Sequence, residues 1–337
     1  MLKRLALFIA SSVLGVALAS APAWAAGPTA IALHPAHLLP IPKPPTWNKG
    51  LIGVRERLVY EMAGRQPLTL FLFHPAKPSI LPRPVVVYIH GGALRFGSAM
   101  ITNANTPHNR LLVAVERKLI EQGYDFVSVN YQLAPLHPWP IPLDDVKHAV
   151  MYLLVNARML GINPDRLAVM GDSAGGELSS FVGLTLKEGP HGAPVVKAVV
   201  DLFGPTDRKT FAIQWRKRHG LKPNPVYGVY TWKRVKRESV VTYVHPKAPP
   251  FLIIQGTRDH IVPPQQSHLL KVKLKEAGDP VKEILVHHAG HELVPVGGHI
   301  HPGIPYLAEQ IDRFLISHLG GTQPLSVPAK PLMIPEP

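Results

Sequence analysis

A serine hydroxyl is a poor nucleophile until a histidine takes its proton and an acid orients that histidine. Ser173 lies in Gly171-Asp172-Ser173-Ala174-Gly175, a G-x-S-x-G run between the apolar stretch RLAVM and a helical one. In a nucleophile elbow this pattern makes a sharp strand-to-helix turn that lifts the hydroxyl clear of the sheet, and its flanks, here Gly171 and Gly175, must be small. The pentapeptide alone equally suits a glycine-rich turn without chemistry, or one that cradles a phosphate. Upstream, His90-Gly91-Gly92-Ala93 closes the apolar run PVVVYI. Acyl transfer builds negative charge on a carbonyl oxygen, so backbone N–H groups must already point at it. A His-Gly-Gly turn ahead of the serine is where such donors belong. The expected donors are the backbones of Gly92, Ala93 and Ala174, with His90 and Gly91 bracing the turn.

These residues need a scaffold, and the hydrophobic pattern supplies one. ERLVYEM and PLTLFLFHP read as a strand pair, and PVVVYIHGG as a buried strand. Strands then alternate with helices: NRLLVAVERKLIEQG, YDFVSVNYQLAP, IPLDDVKHAVMYLLVNARMLGI, RLAVMG, GGELSSFVGLTLKEG, VVKAVVDLFG, PPFLIIQGTRD, QQSHLLKVKLKEAG, VKEILVHH and IPYLAEQIDRFLISHLG. Strands separated by helices demand a mostly parallel, doubly wound sheet covered on both faces. A single α/β domain over residues 51–320 accounts for the pattern. Residues 205–246 are the exception, a lid-like insertion without clean periodicity.

The chain ends are of a different character. Lys3 and Arg4, the apolar LALFIASSVLGVALA and Ala23-Trp24-Ala25 predict a signal peptide over residues 1–25, cleaved near Ala25. The expected location is therefore exported, periplasmic or secreted. Many of the 37 prolines sit in the segments 26–50 and 321–337, which read as extended or irregular. Cysteine is absent from the 337 residues, which excludes disulfides, cysteine nucleophiles and cysteine-ligated metals. The formal net charge is +14, of which Lys3 and Arg4 contribute two. Within 206–239, ten Lys and Arg (Arg208, Lys209, Arg216, Lys217, Arg218, Lys222, Lys233, Arg234, Lys236, Arg237) face only Asp207 and Glu238.

Taken in order, HGGA at 90–93, YQLAPLHPWP at 131–140, NPDRLAVMGDSAGG at 163–176 and GTRDHIVP at 256–263 resemble the α/β-hydrolase superfamily. Within it the chain resembles hormone-sensitive-lipase-like and carbohydrate (feruloyl, acetyl-xylan) esterases. The resemblance implies the α/β-hydrolase fold and the order Ser, acid, His. It makes Asp259, after the strand FLIIQG, the acid, with Asp201 and Asp207 as fallbacks. The base it implies is His291, after the last strand; His287, His288, His299 and His301 share its chemistry but not its position. His291-Glu292 begins like the zinc motif H-E-x-x-H, but Pro295 stands where the second histidine belongs, so no metal is expected. Nor is a cofactor.

The implied function is an exported serine hydrolase cleaving carboxylic esters through an acyl-enzyme, its substrate a small-molecule or carbohydrate ester. The same machinery serves an arylformamidase or a peptidase. A non-catalytic homologue that binds polyanions is the reading from another class. The basic stretch 206–239 suits contact with an anionic surface or selection of acidic substrates, and a solvated loop suits it as well. Export argues against nucleic acid, and oligomeric state is left open.

Overall fold

The most apolar runs of the chain become the centre of its sheet. A computed structural model describes residues 52–99, 105–186, 194–220 and 232–321. The signal peptide expected at 1–25, the cleavage site and both proline-rich ends lie outside these residues, apart from Gly321. Among the described residues run eight strands, β1 (Val54–Ala63), β2 (Gln66–His74), β3 (Arg83–Ile89), β4 (Asp125–Val129), β5 (Ile162–Asp172), β6 (Val196–Leu202), β7 (Phe251–Gly256) and β8 (Val281–Val286). They form one sheet in the order β1-β2-β4-β3-β5-β6-β7-β8. β1 and β2 make the expected pair, which is antiparallel, β2 meets β4 antiparallel, and every later pairing is parallel. β4 and β7 are buried at every position, whereas β8 alternates in its second half, as an edge strand with one wet face does.

Among the described residues, eight helices connect and cover the strands: α1 (Pro107–Glu121), α2 (Ile141–Val155), α3 (Ala157–Leu160), α4 (Ala174–Thr185), α5 (Arg208–His219), α6 (Trp232–Arg237), α7 (Gln265–Glu276) and α8 (Ile304–Leu319). α1 buries Leu111, Leu112, Val115 and Leu119, and α8 buries Leu307, Ile311 and Leu315. Those i, i+3/i+4 stripes meet Phe126, Ala168, Met170 and Val200 in one core layer. α2 and α4 cover the opposite face, packed on each other and on β5. This is the α/β-hydrolase fold expected from the sequence.

Two features differ from the sequence reading. The run YDFVSVNYQLAP is strand only to Val129, and Tyr131 lies beyond it. The stretch 205–246, read as lacking clean periodicity, holds α5, α6 and a 3₁₀ turn at Val240–Tyr243 among its described residues. Asp207 caps α5, its Oδ2 accepting from the Thr210 N–H at 3.0 Å. The periodicity was hidden because the first inward residue of α5 is a cation. Arg208 is fully buried and pairs with the buried Glu177 of α4. It is therefore not among the charges that 206–239 presents to solvent.

Candidate active site

Parallel register decides where the chemistry gathers. Ile89 pairs with Gly171, Asp172 with Leu202, and Gly256 with Val286. The segments leaving β3, β5, β6, β7 and β8 therefore all emerge at one edge of the sheet, the carboxyl edge where open α/β sheets build their sites.

Ser173 makes the turn from β5 into α4. Its φ of 51° and ψ of −118° put a side chain in a conformation that L-residues avoid. The turn is held by the Ser173 N–H, which donates to the Leu202 carbonyl at 2.8 Å. It is also held by lack of space. A Cβ on Gly175 would stand 2.0 Å from the Ile89 carbonyl oxygen, and one on Gly171 2.2 Å from the Gly175 oxygen. Both flanks of the elbow must be glycine because backbone meets backbone there.

His291 comes from the loop after β8. Arg258 N–H donates to the Ala289 carbonyl at 2.8 Å and Gly290 N–H to that of Val294 at 2.7 Å. The first bond ties the histidine loop to the turn after β7, and the second closes that loop on itself. Phe203 packs its ring edge-on to His291 at 5.1 Å. His291 Nε2 is 3.0 Å from Ser173 Oγ, and Nδ1 is 2.7 Å from Asp259 Oδ2. A carboxylate only accepts, so the neutral ring carries its proton on Nδ1 and leaves Nε2 to accept from the serine O–H. Asp259 is buried, and its other oxygen accepts the N–H groups of Ile261 at 2.8 Å and Val262 at 2.9 Å. Gln255 Nε2 adds a bond to Oδ2 at 3.2 Å. The carboxylate is thus held by partners other than the histidine.

The fallback residues stand elsewhere. Asp201 is buried and accepts from the Gly204 N–H at 2.8 Å; burial pushes its carboxyl up to about 6. Asp207 is the cap of α5. His287 and His301 face each other in an isolated bridge through their backbones, and His288 is exposed on the same loop.

The turn after β3 is coiled tightly. Gly92 has φ 104°, Ala93 55° and Leu94 59°, and the Gly92 carbonyl accepts from the N–H groups of Arg95 and Phe96. A Cβ on Gly92 would lie 2.2 Å from the Phe96 oxygen, so only glycine fits. Among the described residues, none accepts from the N–H of Gly92, Ala93 or Ala174. His90 stacks on Tyr131 at 4.3 Å and contacts the Gly91 carbonyl through Nδ1 at 2.7 Å. Burial lowers its pKa, so it is a neutral brace.

Sequence reasoning passed over three residues. Asp172, the variable position of the motif, turns away from Ser173 and accepts on Oδ1 from the Gly91 N–H at 2.9 Å and the Tyr88 O–H at 2.5 Å. Tyr131 O–H donates to the His90 carbonyl at 2.8 Å. Gln255 holds Asp259. An acid at the buried end of a strand was the available signal for Asp172; Tyr131 had only its place at the head of YQLAPLHPWP, and Gln255 only its place just before GTRDHIVP.

The family model BD-FAE matches residues 70–274. Esterase LipC of Mycobacterium tuberculosis is 33% identical over 205 residues, covering 58% of this chain and 49% of LipC. Esterase LipQ of the same organism is 27% identical over 257 residues, covering 72% and 57%. The chain thus spans about half the length of the curated relatives it matches. Among solved structures, native esterase 2 of Thermogutta terrifontis superposes with a TM-score of 0.62 at 20% identity, covering 86% of this chain and 100% of that one. A truncated carbohydrate esterase from gut microbiota gives 0.56 at 23% identity, covering 74% and 90%. At those identities the structural likeness concerns the fold, and it is the family match across more than half of the residues, on that fold, that makes this chain a member of the BD-FAE family within the α/β-hydrolase superfamily.

Proposed function

We propose that this protein hydrolyses carboxylic esters through an acyl-enzyme on Ser173. The unbroken hydrogen-bond relay from Ser173 through His291 to Asp259 carries the reading. Nε2 of His291 takes the hydroxyl proton as Oγ attacks the ester carbonyl, and Asp259 stabilises the imidazolium that forms. The N–H groups of Gly92, Ala93 and Ala174 receive the oxyanion. Collapse returns the proton from Nε2 to the departing alcohol. Water, deprotonated by the same nitrogen, then releases the acid and restores Ser173. The names of LipC and LipQ, both esterases, and of the gut carbohydrate esterase agree with an ester substrate. A small-molecule or carbohydrate ester is the substrate class this favours. We further propose export, on the basic start and apolar run of residues 1–25.

The test is turnover of a panel of p-nitrophenyl acyl esters and acetylated or feruloylated sugars by the wild type and Ser173→Ala. Wild-type turnover lost in the variant is expected. Equal turnover by both proteins overturns the serine mechanism, and no turnover across the panel overturns the ester reading.

A further inference from the structure

Single exposed apolar side chains are ordinary on any protein surface. Here they recur on every connection described above at the carboxyl edge, apart from the elbow itself. Phe96 follows β3 and is 65% exposed, Leu136 follows β4 at 84%, Ile213 lies on α5 after β6 at 48%, and Ile261 follows β7 at 59%. Val294 and Val296 continue the set after β8, on the loop that carries His291. Parallel pairing, that of β4 with β3 included, brings these connections to the edge that holds Ser173, so the apolar tips share that edge with the site.

Cations accompany them. The Arg95 guanidinium lies 5.5 Å over the Phe96 ring. Arg216 and Lys217 are exposed three and four residues after Ile213, on the same stripe of α5. Arg258 is exposed shortly before Ile261, and Lys236 and Arg237 are exposed on α6. Among the described residues, Arg216, Lys217, Lys236 and Arg237 make no ion pair. The exposed acids of this edge are Glu292, beside His291, and Asp144, in the first turn of α2.

We propose that this edge docks on an anionic phospholipid surface, with Phe96, Leu136, Ile213 and Ile261 entering the interface and Arg216 and Lys217 meeting the headgroups. Apolar tips ringed by cations are the composition that interfacial binding requires: burial of the tips adds to attraction by anionic lipid. A soluble acidic polymer would use the cations but leave the aliphatic tips in water. The docking itself stands on the surface alone. Its consequence, delivery of amphiphilic esters to Ser173, rests on the esterase reading.

The described residues belong to the compact unit His37–Pro337, so the processed chain without residues 1–25 is the protein to use. Its co-sedimentation is measured with vesicles of pure phosphatidylcholine and with vesicles about one-third phosphatidylglycerol. The expected result is binding to the anionic vesicles only, weakened roughly tenfold or more by Arg216→Glu with Lys217→Glu, since each cation near such a surface contributes about 1 kcal/mol. Leu136→Ser with Ile213→Ser should weaken it several-fold, and neither pair should alter turnover of a soluble short ester. Ser173→Ala should bind as the wild type does, which separates this proposal from the esterase reading. No binding to anionic vesicles overturns the proposal. So does binding that the serine pair leaves unchanged, or stronger retention on polygalacturonate than on vesicles, either of which assigns the cations to an acidic polymer.

Discussion

Asp172 stands beside Ser173 in sequence and holds the turn after β3 instead. Its Oδ1 gathers the Gly91 N–H and the Tyr88 O–H, and His108 Nε2 lies 3.7 Å away. Burial, first, and then the Asp172 carboxylate hold the Tyr88 phenol well above its ordinary value, so it remains a donor at any working pH. The motif's two halves, elbow and donor turn, are therefore joined by one carboxylate oxygen. Asp172→Ala leaves two buried donors without their acceptor, at about 1–3 kcal/mol each. It should lower the urea midpoint and reduce kcat with a smaller change in KM, as the donor turn loosens. Asp172→Asn keeps an acceptor oxygen at the same place and should recover most of both. A folded Asp172→Ala protein with wild-type kcat would remove Asp172 from the positioning role. Asp259→Asn tests the relay itself. Its amide can donate to Nδ1 and stabilise the wrong tautomer, so kcat should fall by about 10⁴-fold with the fold intact, as steady-state kinetics and circular dichroism would record.

At the scale of elements, α5 and α1 show how a polar residue can occupy a core position. Arg208 occupies the inward position at the start of α5 through its pair with Glu177, so the helix looked aperiodic. Gln266 at the start of α7 holds it in place: its Oε1 accepts the N–H groups of Thr206 and Asp207, both at 2.9 Å, and its Nε2 donates to Thr210 Oγ1 at 2.9 Å. On α1 the buried Glu116 accepts from the Ile52 N–H at 3.1 Å. Burial raises its pKa from 4.5 to about 8, outweighing that bond. A raised acid keeps its proton in the folded state after the unfolded chain has lost it. Its contribution is therefore fully present below about 4.5 and is lost as pH rises through about 8. Glu116→Gln retains an acceptor without the titration. Its melting temperature should fall less than the wild type's between about pH 5 and about pH 8, and parallel curves for the two proteins would contradict this account.

For the whole molecule, the sheet converts chain order into a site. Ser173, Asp259 and His291 are separated by up to 118 residues and meet because β5, β7 and β8 end together at one edge. Export is the remaining prediction at this scale. Expressed in a Gram-negative host with the whole chain, the protein should be recovered from the periplasm with an N-terminus near Ala26; recovery from the cytoplasm beginning at Met1 would refute it. Much of this was legible in residue order alone. Buried strands are continuous apolar runs, covering helices have apolar stripes, and the elbow needs glycines at fixed spacing, so the α/β class, Ser173 as a candidate and the donor turn could be read locally, whereas the order of the relay residues came from the resemblance. Choosing His291 among five histidines, and Asp259 over Asp201 and Asp207, needed position relative to strand ends, which the resemblance supplied and the register explains. What only tertiary structure decided are the contacts between segments distant in sequence. Asp172 closes the donor turn 81 residues upstream, Gln255 fixes Asp259 from the end of β7, and Arg208 is a core residue instead of a surface charge. Burial and partner are properties of the packed neighbourhood, and the type of a residue does not reveal which neighbours the fold will bring to it.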